Sequence, residues 1–541
     1  MSVPAQTDVV VVGAGVAGAL MADQLSDAGV RVVVLEAGPE VASHEAATEK
    51  FLRTAVKNEA APFVMSDAAP FPDAEDIDAY FVQDGPDTYT TTYLRAVGGT
   101  TWHWVGTCPR HVPNDLQLNT KYGVGVDWPF GYAELEPWYA RADQELGVAG
   151  PSGDDQGSPR STPFPMEEVP LSFLDKRVRD AAASLGLPVV ATPAARNTEG
   201  FNDRPRCEGR SNCTPICPIG AKYDAMVHVD RIRERGVLVE PNAVVHDVLV
   251  SDGLATGVVF RRPNGTDETL RARVVVLAAH GIETPKIMLM SNGGLGIGNS
   301  SDQVGRNLME HPGLTGLALA ASPVFGERGP VSTSTIEATK DTPERSFRGA
   351  FRIGIGNDGW RGLADPTVES ASFIRPREGG NALARRWSDH VSRQLRFTAF
   401  VEMLPRDFNR VTPAFDQLDA IGIARPRIHW DVTSDPYVQG GFDAGRKVIT
   451  SLMDALGASN RIFAAGTTGH HPMGTTRMGN DPKTSVVDQF GRSHDVPNLW
   501  VVGGSVQPSV GTSNPTLTIA ALSLRTAAAL LRSMRAMPNV A

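Results

Sequence analysis

The first part of the chain alternates apolar runs with glycine-containing turns, a pattern typical of a strand–helix–strand unit. The apolar run Val9–Val12 predicts a buried strand. A helix is predicted next, through Leu20 and Leu25, and we expect it to end near Gly29. A second apolar run, Val32–Leu35, predicts a second strand.

Another set of alternating segments lies in the middle of the chain. Residues 244–250, 256–261 and 269–277 alternate in polarity and are separated by turn residues. This predicts a β-meander that ends in a buried strand, Val274–Leu277. A glycine-containing turn and a helix follow at 278–285. Because strand, turn and helix repeat the N-terminal pattern, we expect this segment to return to the first sheet.

Between residues 313 and 428 the pattern changes to short apolar segments separated by long polar loops. Examples are Leu317–Leu319, Phe351–Ile355 and Phe397–Leu404. Their lengths and spacing predict a second, mainly antiparallel domain with helices. A helix is expected over Tyr437–Leu456.

The C-terminal region ends in one more strand and one more helix. Leu499–Val502 reads as a short strand, and Leu517–Met534 as a final amphipathic helix. We expect this helix to pack on the sheet rather than on a membrane.

The turn after the first strand has the glycine spacing of a dinucleotide-binding motif. Gly13, Gly15 and Gly18 follow the pattern G-x-G-x-x-G. The first permits a tight turn, the second lets the backbone approach a pyrophosphate, and the third lets the helix pack closely on the strand. Glu36 ends the second strand, where an acidic side chain can bind ribose hydroxyl groups. The combination predicts a bound adenine dinucleotide, against the alternative of a glycine-rich turn without a ligand.

The length, the net charge and the N-terminal residues of the chain argue against some classes of function. The chain has 541 residues, enough for two or more domains, and a formal net charge of −10. No basic run stands out, so nucleic acid is not an expected partner. No apolar run reaches the length of a membrane span, and the N-terminus, MSVPAQTD, lacks the features of a signal peptide. We therefore expect no direct membrane span and no signal peptide of its own.

Three of the four cysteines cluster in one short loop. Cys207, Cys213 and Cys217 have the spacing C-x5-C-x3-C, with prolines nearby. Clustered thiolates suit an iron–sulfur cluster. Zinc would need a fourth ligand, for which His228 or Cys108 could be proposed, and free thiols are the third alternative. This distribution does not predict a disulfide framework.

Several segments together resemble the glucose–methanol–choline (GMC) family of flavin oxidoreductases. The matching segments span nearly the whole chain in the family's order: GAGVAG at 13–18 with Glu36, VGGTTWHW at 97–104, GIETPKIMLMS at 281–291, VGRNLMEHP at 304–312, HPMGTTRMG at 471–479 and NPTLT at 514–518. The resemblance implies a Rossmann-like FAD-binding domain beside a substrate domain built on an antiparallel sheet. The expected fold class is therefore α/β (α+β overall).

The resemblance also implies roles for individual residues. His471 and Asn514 are the expected catalytic pair facing the flavin, and His103 stands where some pyranose oxidases attach FAD covalently through histidine. Trp102 is expected either to wall the flavin or to pack in the core, and His311 to be structural. The residues expected to bind FAD are Gly13, Gly15, Gly18, Glu36, Arg95, Gly98, Gly99, Thr100, His103, Trp104, Val244, Ala278, Gly504 and Thr516.

Polarity pattern and resemblance together divide the chain into discontinuous domains. The predicted parts are an FAD-binding domain (1–45, 236–312 and 458–541), a substrate domain (160–199 and 313–457), a cysteine loop (200–228), and connecting segments (46–159) that include the flavin loop 95–104.

The cysteine loop narrows the resemblance to the catalytic subunits of bacterial membrane-linked sugar dehydrogenases. In these proteins three cysteines hold a [3Fe–4S] cluster, a small partner subunit carries the export signal, and a cytochrome c subunit accepts electrons. The resemblance thus implies a periplasmic, membrane-associated protein, and a cytoplasmic one if such partners are absent. Two positions depart from the expected pattern: His470 replaces an asparagine of the glucose enzymes, and Gly503 replaces a common aspartate.

The expected reaction is FAD-dependent oxidation of a sugar hydroxyl to a carbonyl. His471 would act as general base, since its ordinary pKa is about 6.5, and Asn514 would hold the hydroxyl. A cofactor must accept the hydride, because no side chain can, and a cluster would relay the electrons. The alternatives are a peroxide-forming pyranose or glycoside oxidase of the same fold, a non-redox lyase that keeps FAD as structure, and a non-enzymatic electron carrier or scaffold.

Overall fold

A computed structural model describes residues 3–55, 58, 60–360, 373–374 and 379–536 of the chain. The rest of the predicted substrate domain, 361–372 and 375–378, lies outside the described residues.

Helices and strands alternate along most of the described chain. The helices are α1 Val16–Asp27, α2 His44–Arg53, α3 Leu118–Tyr122, α4 Tyr132–Leu146, α5 Phe173–Ala183, α6 Met226–Glu234, α7 His280–Met290, α8 Gly380–Ser392, α9 Pro436–Ala455 and α10 Thr516–Ala536. The strands are β1 Gln6–Val12, β2 Val32–Leu35, β3 Val82–Gln83, β4 Ala149–Gly150, β5 Met166–Glu167, β6 Val190–Ala191, β7 Leu238–Glu240, β8 Val244–Ser251, β9 Leu254–Arg261, β10 Asp267–Leu277, β11 Gly313–Leu319, β12 Ser334–Ile336, β13 Phe351–Ile355, β14 Gln394–Val401, β15 Arg410–Leu418, β16 Ala424–His429, β17 Ser459–Gly466 and β18 Leu499–Val501.

The first sheet contains seven strands in the order β7-β2-β1-β10-β9-β8, with β18 also paired to β10. Strands β7, β2, β1, β10 and β18 run parallel. Strands β8 and β9 extend the sheet as an antiparallel meander. The long strand β10 makes this possible, because residues 267–271 pair with β9 and residues 275–277 pair with β18. The middle of the chain therefore returns to the N-terminal sheet.

The second sheet contains six antiparallel strands in the order β17-β11-β14-β13-β12-β6. Helix α9 packs across it at close range, since a Cβ added at Gly441 would lie 2.4 Å from Val401 Cγ1 and one at Gly445 would lie 2.8 Å from Ala399 Cβ. The chain thus combines a mainly parallel sheet of the dinucleotide-binding type with an antiparallel sheet. This combination confirms the predicted α/β (α+β overall) fold class. The division into domains stays a prediction.

One predicted boundary needs correction. Residues 459–466 form β17 and pair with β11 in the antiparallel sheet, whereas the segment 458–541 was assigned to the FAD-binding domain. The strand lies at the sheet edge with most of its side chains exposed or half-buried. An exposed edge strand has no clear apolar alternation, so its polarity pattern does not predict the sheet to which it belongs.

The C-terminal helix α10 is a core element of the structure. Thr516–Arg535 is long and apolar enough to cross a membrane, which differs from the expectation that no segment is. However, 67% of its most apolar stretch is buried inside the protein, and it packs against α1 and α4. Burial of this kind is typical of a core helix in a globular protein.

A buried ion network ties the second sheet to the turn at residues 113–116. The Arg345 guanidinium donates to Asp115 Oδ1 at 2.5 Å and to Glu402 Oε2 at 2.9 Å. Arg345, Asp115 and Glu402 are all almost fully buried. The guanidinium lowers the pKa of the Asp115 carboxyl, and it is hydrogen-bonded to both buried acidic side chains.

Removing this cation should destabilise the protein. Arg345→Met leaves two buried carboxylates without their shared partner, and we expect a loss of about 3–5 kcal/mol, measured by chemical denaturation at neutral pH. Arg179→Met is the matched control, because Arg179 pairs with Asp180 on the surface, where such pairs contribute about 0–1 kcal/mol. Equal denaturation midpoints for the two variants would show that the network does not hold the sheet and the turn together.

Candidate cofactor-binding and active site

The turn between β1 and α1 leaves no room for side chains at two of its glycines. Gly13 has φ +106°, and an added Cβ would lie 2.6 Å from Ala278 O. A Cβ at Gly18 would lie 1.9 Å from Gly13 O. Gly15 is the N-cap of α1, so the amide groups of the first helical turn face the space beside it. This geometry fits the phosphate-binding turn of a dinucleotide site.

Glu36 stands at the carboxyl end of β2, beside the same turn. Its carboxylate accepts from Ala14 N at 2.8 Å and from Gly38 N at 3.0 Å. The side chain is buried, and burial raises the pKa of its carboxyl despite these bonds. Val244 begins β8 next to it, since Ala243 N donates to Glu36 O at 2.8 Å.

The flavin loop, residues 95–104, lies against the glycine turn. Gly98 N donates to Ala14 O at 3.2 Å. An added Cβ at Gly99, which has φ +59°, would lie 2.9 Å from Gly15 Cα. Thr100 Oγ1 accepts from Leu94 N at 3.2 Å and so closes the loop on itself.

Arg95 and Trp102 are buried parts of this loop. The Trp102 ring packs in the core and donates from Nε1 to Val97 O at 2.8 Å. Of the two expected positions for Trp102, the structure places it in the core. Arg95 donates to Pro70 O at 3.0 Å, and within the described chain its buried Nε has no hydrogen-bond partner. A polar ligand at this position would satisfy that donor.

The carboxyl ends of the parallel strands bring the remaining segments to the same edge. Ala278 follows β10 and lies against Gly13. Gly504 follows β18, and its carbonyl accepts from Gly474 N at 3.3 Å. Thr516 begins α10 just after Asn514. The sequence-predicted cofactor residues from distant parts of the chain therefore surround one edge of the sheet.

The candidate catalytic pair lies at this edge. Asn514 Nδ2 lies 3.0 Å from His471 Nε2. The segment carrying His471 is fixed against α7 and the end of β18, since added Cβ atoms at Gly281 and Gly504 would lie 2.4 Å and 2.8 Å from Pro472 O. Burial, with neighbouring cationic and imidazole groups, lowers the pKa of His471 well below its ordinary value.

The Glu310 carboxylate accepts hydrogen bonds from the backbone of the segment that carries His471. Its Oε2 accepts from His471 N at 2.6 Å and from Gly469 N at 3.2 Å, and its Oε1 accepts from Tyr89 OH at 2.9 Å. His470 has φ +60°, and its Nδ1 accepts from Thr92 N at 3.0 Å. His470 is thus a backbone-anchored neighbour of the catalytic pair.

Two further residues contact the pair directly. His311 Nδ1 lies 3.0 Å from His471 Nδ1, a contact that the sequence does not predict. The Arg352 guanidinium, on β13, donates to Asn514 Oδ1. Arg352 was not predicted, because an arginine in a strand at the end of a long polar loop has no motif that distinguishes it.

His103 and Trp104 contact other parts of the chain at the end of the flavin loop. The His103 ring packs edge-on against Phe63, with ring centres 6.0 Å apart. Trp104 donates from Nε1 to Tyr223 O at 2.7 Å. These contacts place the end of the flavin loop against the segment that follows the cysteines.

The cysteine loop forms a small cavity beside the flavin loop. Cys207, Cys213 and Cys217 line it together with Arg196 and Lys222. Their three sulfur atoms do not all lie within 4.8 Å of one another, whereas sulfur ligands of one tetrahedral zinc would be about 4 Å apart. The Arg196 guanidinium also gives the wall of the cavity positive charge. Two of its nitrogens are buried with no hydrogen-bond partner in the described structure.

Neither proposed fourth zinc ligand lines this cavity. His228 Nδ1 pairs with Tyr223 OH at 2.9 Å and its Nε2 with Glu145 at 3.2 Å. Cys108 is part of the apolar core around the first sheet. Lys222 donates from Nζ to Thr101 O at 2.9 Å and to Trp102 O at 3.0 Å, so it joins the cysteine loop to the flavin loop.

Comparison with known proteins agrees with this arrangement. Two family models, both described as GMC oxidoreductase, match residues 7–313 and 404–523. The fructose dehydrogenase large subunit of Gluconobacter japonicus is 35% identical, with 98% of each chain covered. The 2-methyl-1,2-propanediol dehydrogenase of Mycolicibacterium austroafricanum is 29% identical over 96% of this chain and 94% of its own. The crystal structure of pyridoxine 4-oxidase from Mesorbium loti shares the fold, with a TM-score of 0.64, 19% identity, and coverage of 98% of this chain and 100% of that one.

The contact between the flavin loop and the glycine turn gives a direct test of the site. Gly99→Ala places a methyl group against Gly15, and we expect the purified variant to hold much less flavin, measured by visible absorbance, and to unfold at lower temperature. Gly123→Ala is the matched control, because Gly123 also has positive φ, +71°, but nothing lies within 4 Å of an added Cβ. That variant should lose about 1 kcal/mol of stability and keep its flavin. Full flavin content in Gly99→Ala would show that the two loops do not form the binding site.

Proposed function

The chain belongs to the GMC oxidoreductase family, and on that premise we propose that it oxidises a hydroxyl group of a sugar or sugar derivative to a carbonyl, with FAD as cofactor. The observation that carries the proposal is the contact of His471 with Asn514, 3.0 Å apart, at the sheet edge that carries the dinucleotide-binding turn.

The residues at the sheet edge fit FAD. Gly13 and Gly18 permit the tight turn and the close packing of the helix, Gly15 lets the backbone approach the pyrophosphate, and the Glu36 side chain lies where a ribose binds. The buried, unsatisfied Nε of Arg95 provides a further donor. When bound, FAD supplies the hydride acceptor that no amino-acid side chain can provide.

His471 has the properties of the general base that alcohol oxidation requires. Its lowered pKa keeps the imidazole neutral at neutral pH, so a ring nitrogen can accept the hydroxyl proton. Asn514 presents its amide at the same point and can hold the substrate oxygen by a hydrogen bond. Glu310 accepts from the backbone N–H of His471 and so fixes the backbone of the segment that carries the base.

The substrate class is inferred from the relatives. One is named for fructose and another for a small diol, and both compounds carry an oxidisable hydroxyl. The first is named as a large subunit, which supports a multi-subunit assembly for this chain as well. We propose a small signal-bearing subunit and a cytochrome c subunit as partners, with a periplasmic, membrane-associated location.

We further propose that Cys207, Cys213 and Cys217 hold a [3Fe–4S] cluster. The cavity they share is lined by Arg196 and Lys222, and these cationic side chains suit the negative charge of a thiolate-bound cluster. When present, the cluster supplies one-electron transfer to the acceptor. Lys222 and Trp104 support this role, because both connect the cysteine loop to the flavin loop.

His471→Ala tests the proposed base. We expect the rate at which sugar bleaches the flavin, in anaerobic stopped-flow mixing, to fall by about 10²–10⁴-fold, the usual contribution of general base catalysis, with the flavin content unchanged. His246→Ala serves as control, since His246 lies far along the antiparallel meander and pairs with Asp267. A wild-type rate in His471→Ala would exclude it as the base.

The dependence of this rate on pH follows from the pKa of His471. The base acts in its neutral form, and its pKa is lowered, so protonation removes activity only at a pH below the ordinary histidine value of about 6.5. We expect the rate of flavin bleaching to remain constant from pH 8 down to about 6.5 and to fall at lower pH. A fall that begins well above pH 6.5 would contradict the proposed state of His471.

Iron analysis tests the cysteine site. Anaerobically purified protein should contain about three irons per chain, with acid-labile sulfide and an EPR signal in the oxidised state. Cys213→Ser should lose the iron and the transfer of electrons to a dye while the sugar still bleaches the flavin. Cys108→Ala, a buried cysteine outside the cavity, should retain the iron. Wild-type protein with flavin, no iron, and peroxide formation from sugar would instead identify an oxidase.

A further inference from the structure

The catalytic pair is the middle of a longer chain of hydrogen bonds that runs from a charged side chain to the backbone. Arg352 contacts Asn514, Asn514 contacts His471, and His471 contacts His311. His311 Nε2 in turn lies 3.2 Å from Val510 O and 3.1 Å from Gly511 O. Each link has a donor and an acceptor, so the two ends determine the direction of every bond between them.

The arginine end determines the orientation of the Asn514 amide. A guanidinium group has only donors, so the atom of Asn514 that faces Arg352 is the oxygen, Oδ1. The amide nitrogen therefore points at His471 Nε2, 3.0 Å away. Because Nδ2 can only donate, His471 Nε2 must accept and carries a lone pair.

The backbone end gives the same answer independently. His311 Nε2 faces two carbonyl oxygens and must carry a proton. Burial lowers the pKa of His311 to about 4, so the ring is neutral and its Nδ1 accepts. His471 Nδ1, 3.0 Å away, must then be the donor.

We propose that Arg352 and His311 are positioning residues that hold His471 in the tautomer with its proton on Nδ1 and its lone pair on Nε2. This inference rests on the proposed function, since it specifies which nitrogen of the base receives the substrate proton. In the free protein that lone pair accepts from Asn514 Nδ2; a substrate hydroxyl that comes between the two groups would accept from Nδ2 and give its proton to Nε2.

The contact with Arg352 favours one of the two orientations of the Asn514 amide. If Arg352 is removed, the Asn514 amide can turn over and present its oxygen to His471. That oxygen would favour a proton on Nε2, which cannot accept the substrate proton. Arg352 is itself held by Glu337, 3.5 Å away, and Glu337 by Lys340, 3.1 Å away.

Matched pairs of variants separate this positioning from simple packing. Arg352→Lys keeps a donor toward Asn514, whereas Arg352→Met keeps the bulk without the donor. Likewise, His311→Asn places an acceptor oxygen near the position of Nδ1, whereas His311→Leu does not. We expect flavin bleaching by sugar to slow about 100-fold in the Met and Leu variants, and by less than about tenfold in the Lys and Asn variants. Equal rates within each pair would overturn the proposal.

Nitrogen-15 NMR of histidine-labelled protein reads the tautomer without any activity. The His471 signal is assigned by its absence in His471→Ala. We expect a protonated Nδ1 and an unprotonated Nε2 in the wild type, and a mixture of tautomers in Arg352→Met. A protonated Nε2 in the wild type would overturn the proposal whatever the rates are. The expected tautomer together with a wild-type rate in His471→Ala would instead overturn the proposed function and leave the hydrogen-bond arrangement intact.

Discussion

The parallel pairing of β1 with β10 is the constraint on which the site depends. The two strands stay in register from Gln6 and Arg271 to Val12 and Leu277, so both end at the same edge of the sheet. Gly13, which follows β1, therefore lies beside the start of helix α7. The close contact of Gly281 with Pro472 brings His471 to the same edge. The glycine turn and His471, the proposed base, are more than four hundred residues apart in the chain and come to one edge because two strands are hydrogen-bonded.

The second sheet contributes to the same site through buried polar groups. Arg352 extends from β13 to Asn514. The Arg345 network includes Asp115, whose carboxyl group lies against Gly511. Buried charged groups are stable only when each finds its partner. The two sheets must therefore meet in one arrangement for these bonds to form. These contacts hold the second sheet against the segments that carry Asn514 and Asp115.

The sequence predicts best those features that a local steric or polarity rule determines. The glycine turn follows from the absence of space at Gly13 and Gly18, and the strands of the parallel sheet follow from continuous apolar runs. The segment 458–541 is expected in the FAD-binding domain, yet its first strand, β17, pairs with the antiparallel sheet, and an exposed edge strand has no clear apolar pattern that would predict this. Arg352 was missed because its role arises only when β13 is laid beside Asn514, and no pattern near residue 352 records that contact. His311 lay within a quoted motif, but only the fold shows that its ring touches His471.

The proposed proton and electron functions use different sets of contacts. His471, His311 and Arg352 belong to a set of hydrogen bonds that reaches strand β13 of the antiparallel sheet. Lys222 and Trp104 join the flavin loop to the cysteine loop. A nearby cation lowers the pKa of an imidazole, as Arg352 does for His471, and nearby cations also stabilise thiolate-bound iron. Each proposed function therefore has its own positive charge: Arg352 lies beside the His471 and Asn514 pair, and Arg196 and Lys222 line the cavity in which a cluster would lie.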